Sequence, residues 1–266
     1  MTVLVTRTGI ATVDEPTDPH LNGIVELLRQ SIPPECAGLT PYHAVNFAAF
    51  LAAAVTPPRN LRTVVLRCVR GSSQVRAVAD WRVLGERLFL NGIAVAAEQR
   101  GRGWGGLLLD DGYELARQFG CTELALDVSL GNPGARRLYE RHGFIEETYA
   151  EWSEAGLDGA VPDPSVRLLD WPSFVAHHSA YGFGDLRIGS EAGATTVRVV
   201  GASLRLPTDA PAGFAAALAE VVSTTRSYRI RRSAGAGTTG GFASFARMSR
   251  PLRAAELNEP VQRGDI

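Results

Sequence analysis

The sequence predicts an α+β fold, and three observations carry that expectation. Three β-like runs, TVVLRCV (63–69), VRAVADWRV (75–83) and RLFLNGIAV (87–95), are joined by short connections such as LGE, the mark of an antiparallel meander. A glycine-rich stretch then opens an amphipathic helical run, WGGLLLDDGYELARQFG (104–120). A further strand, TELALDVSL (122–130), leads into NPGARRLYERHGF (132–144), where Asn132 reads as an N-cap, Pro133 as the first helical residue and Gly143 as the stop.

The other elements follow in order. VLVTRTGIATV alternates weakly and reads as a first strand. HLNGIVELLRQSI puts Leu21, Ile24, Val25, Leu28 and Ile32 at helical spacing, with Asp18 or Pro19 near its start. TPYHAVNFAAFLAAA reads as a second helix opened by Thr40 and Pro41 and closed by Pro57 and Pro58. In the helix after the glycines, Trp104, Leu108, Leu115 and Phe119 share one face, and Gly120 suits the left-handed position that ends it. FIEETYAEW (144–152) returns as a strand, EAGLDGAVPDP is a loop, and SVRLLDW (165–171) reads as the last strand of this part. After Trp171 the texture changes. GDLRIGS, TTVRVVGASLRL, SYRIRRS and FASFARMS read as strands around one helix (210–225), a β-β-α-β-β unit of small-domain size. SAGAGTTGG (233–241) reads as a flexible turn or lid, and the tail AAELNEPVQRGDI as a loose end. No internal repeat stands out. The expected division is 1–171 and 172–266.

Composition narrows the function classes. The chain has 266 residues, 45% of them hydrophobic, and a net charge of −1, so nothing points to nucleic acid or an anionic membrane. All 27 basic residues are arginine, in keeping with a GC-rich bacterial genome, and every motif that needs lysine is excluded. Cys36, Cys68 and Cys121 form no C-x-x-C pair, so no metal or redox centre is expected and a reducing cytoplasm fits. The start lacks a basic region followed by an apolar core, so no signal peptide is expected. The longest apolar run, FAAFLAAAV (47–55), falls far short of the ~20 residues a membrane helix needs.

The stretch RGRGWGG (100–106) puts four glycines and two arginines into seven residues. A phosphate loop of the G-x-x-x-x-G-K-[ST] type needs a lysine and fails. Gly101, Gly103 and Gly106 do spell a dinucleotide fingerprint, with Asp127 roughly 20–25 residues on. However, AAEQR separates the strand from the first glycine, and the preceding strands form a meander. The third reading rests on bare backbone N–H groups at a helix N-terminus, which bind phosphate oxygens with help from the helix dipole. A plain tight β-α turn is the fourth.

LNGIAVAAEQRGRGWGGLLL followed by LALDVSLGNPGARRLYERHGF resembles the GCN5-related N-acetyltransferase (GNAT) family. Arg100, Gly103 and Gly105 stand at its Q/R-x-x-G-x-G/A signature. Asn132, Ala135, Leu138, Tyr139, Gly143 and Phe144 stand at its N-x-x-A-x-x-L-Y-x-x-x-G-F pattern. The resemblance spans roughly residues 1–171. It implies a mixed, mostly antiparallel central sheet, splayed at two parallel strands and flanked by helices, with a small C-terminal α+β domain added. It further implies acetyl-CoA, or another acyl-CoA, as co-substrate, with no metal. Backbone around Ile93, Ala94 and Val95 would pair with the pantetheine arm, and an N–H there would polarise the thioester carbonyl. Arg100, Gly101, Arg102, Gly103, Trp104, Gly105 and Gly106 would take the pyrophosphate. Asn132 and Ala135 would hold the cofactor arm, and Tyr139 would protonate the leaving thiolate. The family fixes no general base; Asp80, Asn91, Glu98, Asp127 and His142 are the candidates here.

The implied activity is acyl transfer to the primary amine of a small molecule, in specialised metabolism or self-resistance. The alternatives are a protein or peptide N-acetyltransferase and a non-catalytic acyl-CoA sensor. The extra domain would lid the acceptor site, pair two protomers in a homodimer, or be a decayed transferase-like half. Three further features read as structural. The acidic run Glu146, Glu147, Glu151 and Glu154 suits a solvated strand edge. HHSAY (177–181) suits a surface loop, and Arg226, Arg229, Arg231 and Arg232 suit an exposed sheet edge.

Overall fold

The computed structural model describes residues 9–71, 74–155, 161–191, 193–208, 210–235 and 241–252. The turn expected at 233–241 and the tail beyond residue 253 fall largely outside them, as do the first eight residues.

The elements in chain order are β1 (Ile10–Thr12), α1 (Leu21–Gln30), α2 (Phe47–Val55), β2 (Val64–Arg70), β3 (Val75–Leu84), β4 (Arg87–Val95), α3 (Trp104–Gln118), β5 (Glu123–Ser129), α4 (Pro133–Arg141), β6 (Ile145–Glu154), β7 (Arg167–Leu168), α5 (Trp171–Tyr181), β8 (Phe183–Ser190), β9 (Gly193–Val200), β10 (Ser203–Leu206), α6 (Ala212–Val222), β11 (Arg226–Ser233) and β12 (Ala243–Pro251). The chain divides into two compact units, and neither is continuous in sequence. The first comprises Met1–Ser31, Leu51–Glu147 and Ala246–Ile266; the second comprises Ile32–Phe50 and Thr148–Phe245. A cut after Trp171 does not describe this grouping, because strand pairing between distant segments, invisible to local pattern, decides it.

In the first unit the sheet runs β1-β2-β3-β4-β5 and continues into the Ala246–Pro251 part of β12. The β1–β2, β2–β3 and β3–β4 pairs are antiparallel, as short turns dictate, and β4–β5 is parallel, as the intervening α3 dictates. One face of α1 is apolar, with Leu21, Ile24, Val25, Leu27 and Leu28 buried. α3 buries Leu108, Leu109, Leu115 and Ala116 and brings Gly112 against the fully buried Trp81 of β3. Arg67 of β2 and Asp111 of α3, both nearly buried, form a two-pronged ion pair that ties helix to sheet.

The second unit repeats that scheme. Its sheet runs from β6 through β11, β10, β9 and β8 to β7. β8–β9 and β9–β10 are antiparallel, and β10–β11 is parallel across α6. The order β8-β9-β10-α6-β11 thus retraces β2-β3-β4-α3-β5, a repeat of topology that the sequence does not display. Its core gathers Phe174, Leu186, Ile188, Val197, Val199, Leu204, Phe214 and Leu218.

Several expectations are corrected here. TTVRVVGASLRL is two strands, because Gly201 takes φ +53 and reverses the chain so that Ser203 pairs with Val200. HHSAY lies on α5, and of SVRLLDW only Arg167–Leu168 is extended, paired with β8. Asp170 precedes the Trp171-Pro172 start of this helix, and Gly182 at φ +77 ends it. The segment from Thr40 starts as a 3-10 turn at Pro41–His43, and α2 begins only at Phe47. β11 is flanked by β10 and β6, so its arginines do not line an edge; Arg231 pairs with Glu151, whose other oxygen accepts the Gly241 N–H at 2.7 Å. β6 is no solvated edge either. Glu146 binds Arg136 at 2.6 and 2.9 Å, and Glu147 takes the Ser249 hydroxyl.

Candidate functional site

The site starts from a failure of pairing. β4 and β5 register over four residues only, Arg87–Leu90 against Glu123–Leu126, and Asn91–Val95 carry no pairing to β5. Along the other edge β4 stays paired with β3 to its end, with one irregularity: Asp80 faces Gly92 and Trp81 faces Leu90, so Asn91 is an extra, bulged residue.

Strand alternation then fixes which amides face the gap. Beyond the bulge, the Ala96 N–H donates to the Arg76 carbonyl at 2.9 Å, so Gly92 and Ala94 also point their N–H groups at β3. Ile93 and Val95 therefore present theirs to the gap beside β5. Ahead of the bulge the alternation is opposite. Val83 of β3 donates to Thr63 on its far side, which leaves its partner Leu88, and with it Leu90, facing β5. The bulge at Asn91 switches the gap-facing set from even to odd residues. The Val95 carbonyl accepts from Arg100 Nε at 3.3 Å, which links the strand to the glycine loop.

In that loop the four glycines divide into two pairs. Gly101 (φ +74) and Gly103 (φ +82) hold the left-handed backbone that reverses the chain into α3, and a Cβ on either would meet nothing within 4 Å. Both are exposed at the start of a 15-residue helix, with Arg100 and Arg102 exposed beside them. Gly105 and Gly106 have a different surrounding. A Cβ there would come within 3.1 Å of Leu138 Cδ2 and 3.3 Å of His142 Nε2, so these two glycines let α4 approach the first turn of α3. Trp104, between the pairs, is half-buried. A backbone cradle free of side chains at a helix N-terminus fits a pyrophosphate.

α4 starts where the sequence says. Asn132 caps it, its Oδ1 accepting the Ala135 N–H at 3.0 Å, and Pro133 follows. That bond occupies the Asn132 oxygen and leaves its amide N–H groups as donors. Tyr139 is the buried residue of this helix, 5% exposed, edge-on to Phe144 at 5.9 Å. Burial pushes its hydroxyl up to about 12.

The candidate bases fare unequally. Asp127 is held by Arg247 through two hydrogen bonds of 2.5 and 3.0 Å, and Arg247 also stacks over Phe89 at 5.1 Å. Glu98 sits exposed in a 3-10 turn. His142 ends α4, its Nδ1 on the Leu138 carbonyl at 2.8 Å and its Nε2 3.7 Å from Asp110. Asp80 is fully buried and accepts from Asn91 Nδ2 at 2.9 Å and from an Arg82 N–H at 2.7 Å. The first unit thus brings together the β4 edge, the glycine loop and α4. It commits Asp127 and His142 to structural bonds. Neither Arg247 nor the bulge was legible in sequence, since one comes from the far end of the chain and the other from register; the Asn91-Gly92 dipeptide was the one local hint of a bulge.

The first unit thus has a split parallel pair ending in a glycine-opened helix, with a buried tyrosine on the next helix. Residues 49–144 match the model of the Acetyltransferase (GNAT) family. Over 58 residues, 22% of this chain and 40% of the relative, it is 41% identical to aminoglycoside N(6')-acetyltransferase type 1 of Serratia marcescens. Over 85 residues, 32% of this chain and 30% of the relative, it is 31% identical to the chloroplastic GCN5-related N-acetyltransferase 7 of Arabidopsis thaliana. The chain therefore spans well under half the length of these relatives. A solved structure titled a tandem GNAT protein from the clavulanic acid biosynthesis pathway superposes over 91% of this chain and 98% of its own, with a TM-score of 0.62 at 13% identity, a likeness of fold. Among the described residues no helix is long and apolar enough to cross a membrane.

Proposed function

We propose that this chain is an N-acyltransferase that moves an acetyl or other acyl group from acyl-CoA to the primary amine of a small molecule, by direct attack in a ternary complex. Bound acyl-CoA supplies an acyl group activated as a thioester; a C–N bond forms, the C–S bond breaks, and the amine proton leaves to solvent. The observation that carries the reading is the unpaired β4 edge, with the Ile93 and Val95 N–H groups facing the gap, running into the glycine-opened N-terminus of α3.

The residues then divide the work. Backbone of Ile93, Ala94 and Val95 receives the pantetheine arm. The Gly101–Gly103 amides with Arg100 and Arg102 neutralise the pyrophosphate, while Gly105 and Gly106 keep α4 close. Asn132 donates from its amide, and Ala135 leaves room beside it. Tyr139 stays protonated well beyond neutral pH and donates to the sulfur as negative charge develops there. Burial of both groups raises the proton affinity of a thiolate as well as of the phenol, which keeps donation feasible. A small-molecule acceptor is supported by the short likeness to an aminoglycoside acetyltransferase, and the cytoplasm is the compartment where acyl-CoA is available. The second unit suits a transferase-like half without a cofactor site of its own: all four residues of β10 pair with β11, and α6 opens on Pro211 rather than on glycines.

Calorimetric titration with acetyl-CoA tests the reading. Saturable binding at one site per chain, followed by turnover on members of an amine panel that includes aminoglycosides, is expected; absence of binding would sink it. Tyr139→Phe is expected to lower kcat by about 10²-fold at unchanged acetyl-CoA affinity. It also has a signature in stability. The folded chain keeps the phenol proton where the unfolded chain, with an ordinary value of 10.0, releases it. The contribution is thus complete below about pH 10 and is lost as pH climbs from there toward 12. Melting curves across the alkaline range should show a shallower decline for Tyr139→Phe than for the wild type.

A further inference from the structure

We infer that Asp80 is a positioning residue that, through Asn91, sets the bulge of β4 and so aims the Ile93 N–H into the gap where the thioester carbonyl would lie. The inference deepens the acyltransferase reading and rests on it.

The argument is one of register. β4 changes its gap-facing amides from even to odd residues at one place, the extra residue Asn91. Without that residue in the bulge, Gly92 and Ala94 would face the gap, and Ile93 would be bonded to β3. A bulge disrupts the ladder locally and re-aims the strand at its extra residue. Here a side chain on the partner strand takes hold of that residue. Asn91 Nδ2 donates to Asp80 Oδ2 at 2.9 Å, directly across from the irregularity.

Asp80 itself is unusual for a sheet residue. It is a carboxylate with no solvent exposure, in a strand whose neighbouring positions Ala79 and Trp81 are also fully buried. Arg82, two residues along the same strand, supplies the counter-charge at 2.7 Å to the same oxygen. A buried ion pair alone would be replaceable by apolar packing at little cost in stability. A carboxylate whose one oxygen takes both a guanidinium and the bulge amide does something packing cannot: it fixes the direction of Asn91. Asn91 is exposed, so its side chain is not held by burial.

The test reads the thioester carbonyl directly. Acetyl-CoA labelled with carbon-13 at the carbonyl is bound to the wild-type protein, and its stretching band is followed by isotope-edited infrared spectroscopy. An aimed amide polarises the carbonyl and lowers the band relative to free acetyl-CoA. Asn91→Ala is expected to remove most of that shift while acetyl-CoA affinity, measured by calorimetry, changes less than about threefold, since one aimed contact is lost and the phosphate contacts stay. Because Asn91 is exposed, this variant is expected to fold, with circular dichroism as the check. Asn91→Asp should lose the shift too, because two carboxylates would face each other. The double variant Asp80→Asn/Asn91→Asp exchanges donor and acceptor and should restore the band, which a merely structural role would not produce.

A wild-type band that stays low in Asn91→Ala overturns the inference, as does a bound wild-type band at the free position. A wild-type protein that binds no acetyl-CoA overturns the acyltransferase reading instead.

Discussion

Gly103→Glu is expected to abolish acetyl-CoA binding in a protein that still folds. Gly103 is the N-cap of α3 at φ +82, and a side chain there meets nothing within 4 Å. The substitution therefore costs roughly 1–2 kcal/mol for left-handed backbone, with no steric clash added. A carboxylate at a helix N-terminus is otherwise well placed, since it interacts favourably with the dipole. That favourable placement is what blocks the site: the carboxylate takes the position of the phosphate and repels it. Affinity should fall at least about 100-fold, more than 2.7 kcal/mol, by calorimetry. Gly103→Ala carries the same backbone cost without the charge and should lose far less. Equal affinity of wild type and Gly103→Glu would place the pyrophosphate elsewhere.

Gly112→Ala is expected to produce the largest loss of stability of any single methyl addition to α3. Helix propensity alone favours alanine over glycine by about 1 kcal/mol. The packing opposes it. A Cβ at residue 112 would come within 2.6 Å of Trp81 Cη2 and 3.0 Å of Cε2, and closer still to Cζ2. Trp81 is fully buried and cannot swing aside. Overpacking of this kind costs typically 1–3 kcal/mol and more where neither side yields, so a net loss of about 2–3 kcal/mol should appear as a lower urea midpoint with unchanged slope. A rise in stability would mean that propensity outweighs the α3–β3 contact.

Much of the first unit was legible because its signals are local. The Asn132-Pro133 cap, the left-handed Gly120 and Gly143, and the strand–glycine–helix order each depend on a few adjacent residues, and each stands as read. The roles of the glycines were legible only in sum, since Gly101 and Gly103 serve the backbone turn and Gly105 and Gly106 serve the approach of α4. What escaped was non-local. Asp127 looks free in LALDVSL until Arg247, 120 residues away, is laid across it. The register that makes Asn91 a bulge exists only once β3 is in place. α5 escaped for another reason: its apolar residues are spread around the helix, so no amphipathic period marked it.

The path of the chain has a consequence for synthesis. The strand that borders β5 on the side away from β4 belongs to the end of the sequence, Ala246–Pro251, although β5 itself is made about 120 residues earlier. A nascent chain that has just exposed residues 1–171 holds the β1–β5 sheet with one side open, its Asp127 lacking Arg247, and such an unpaired edge invites aggregation. The first unit therefore closes only once residues 246–251 have been made, after the segments of the second unit. A gene fragment ending near Trp171 would leave β5 without its neighbour on that side and is expected to aggregate rather than fold as a self-standing unit.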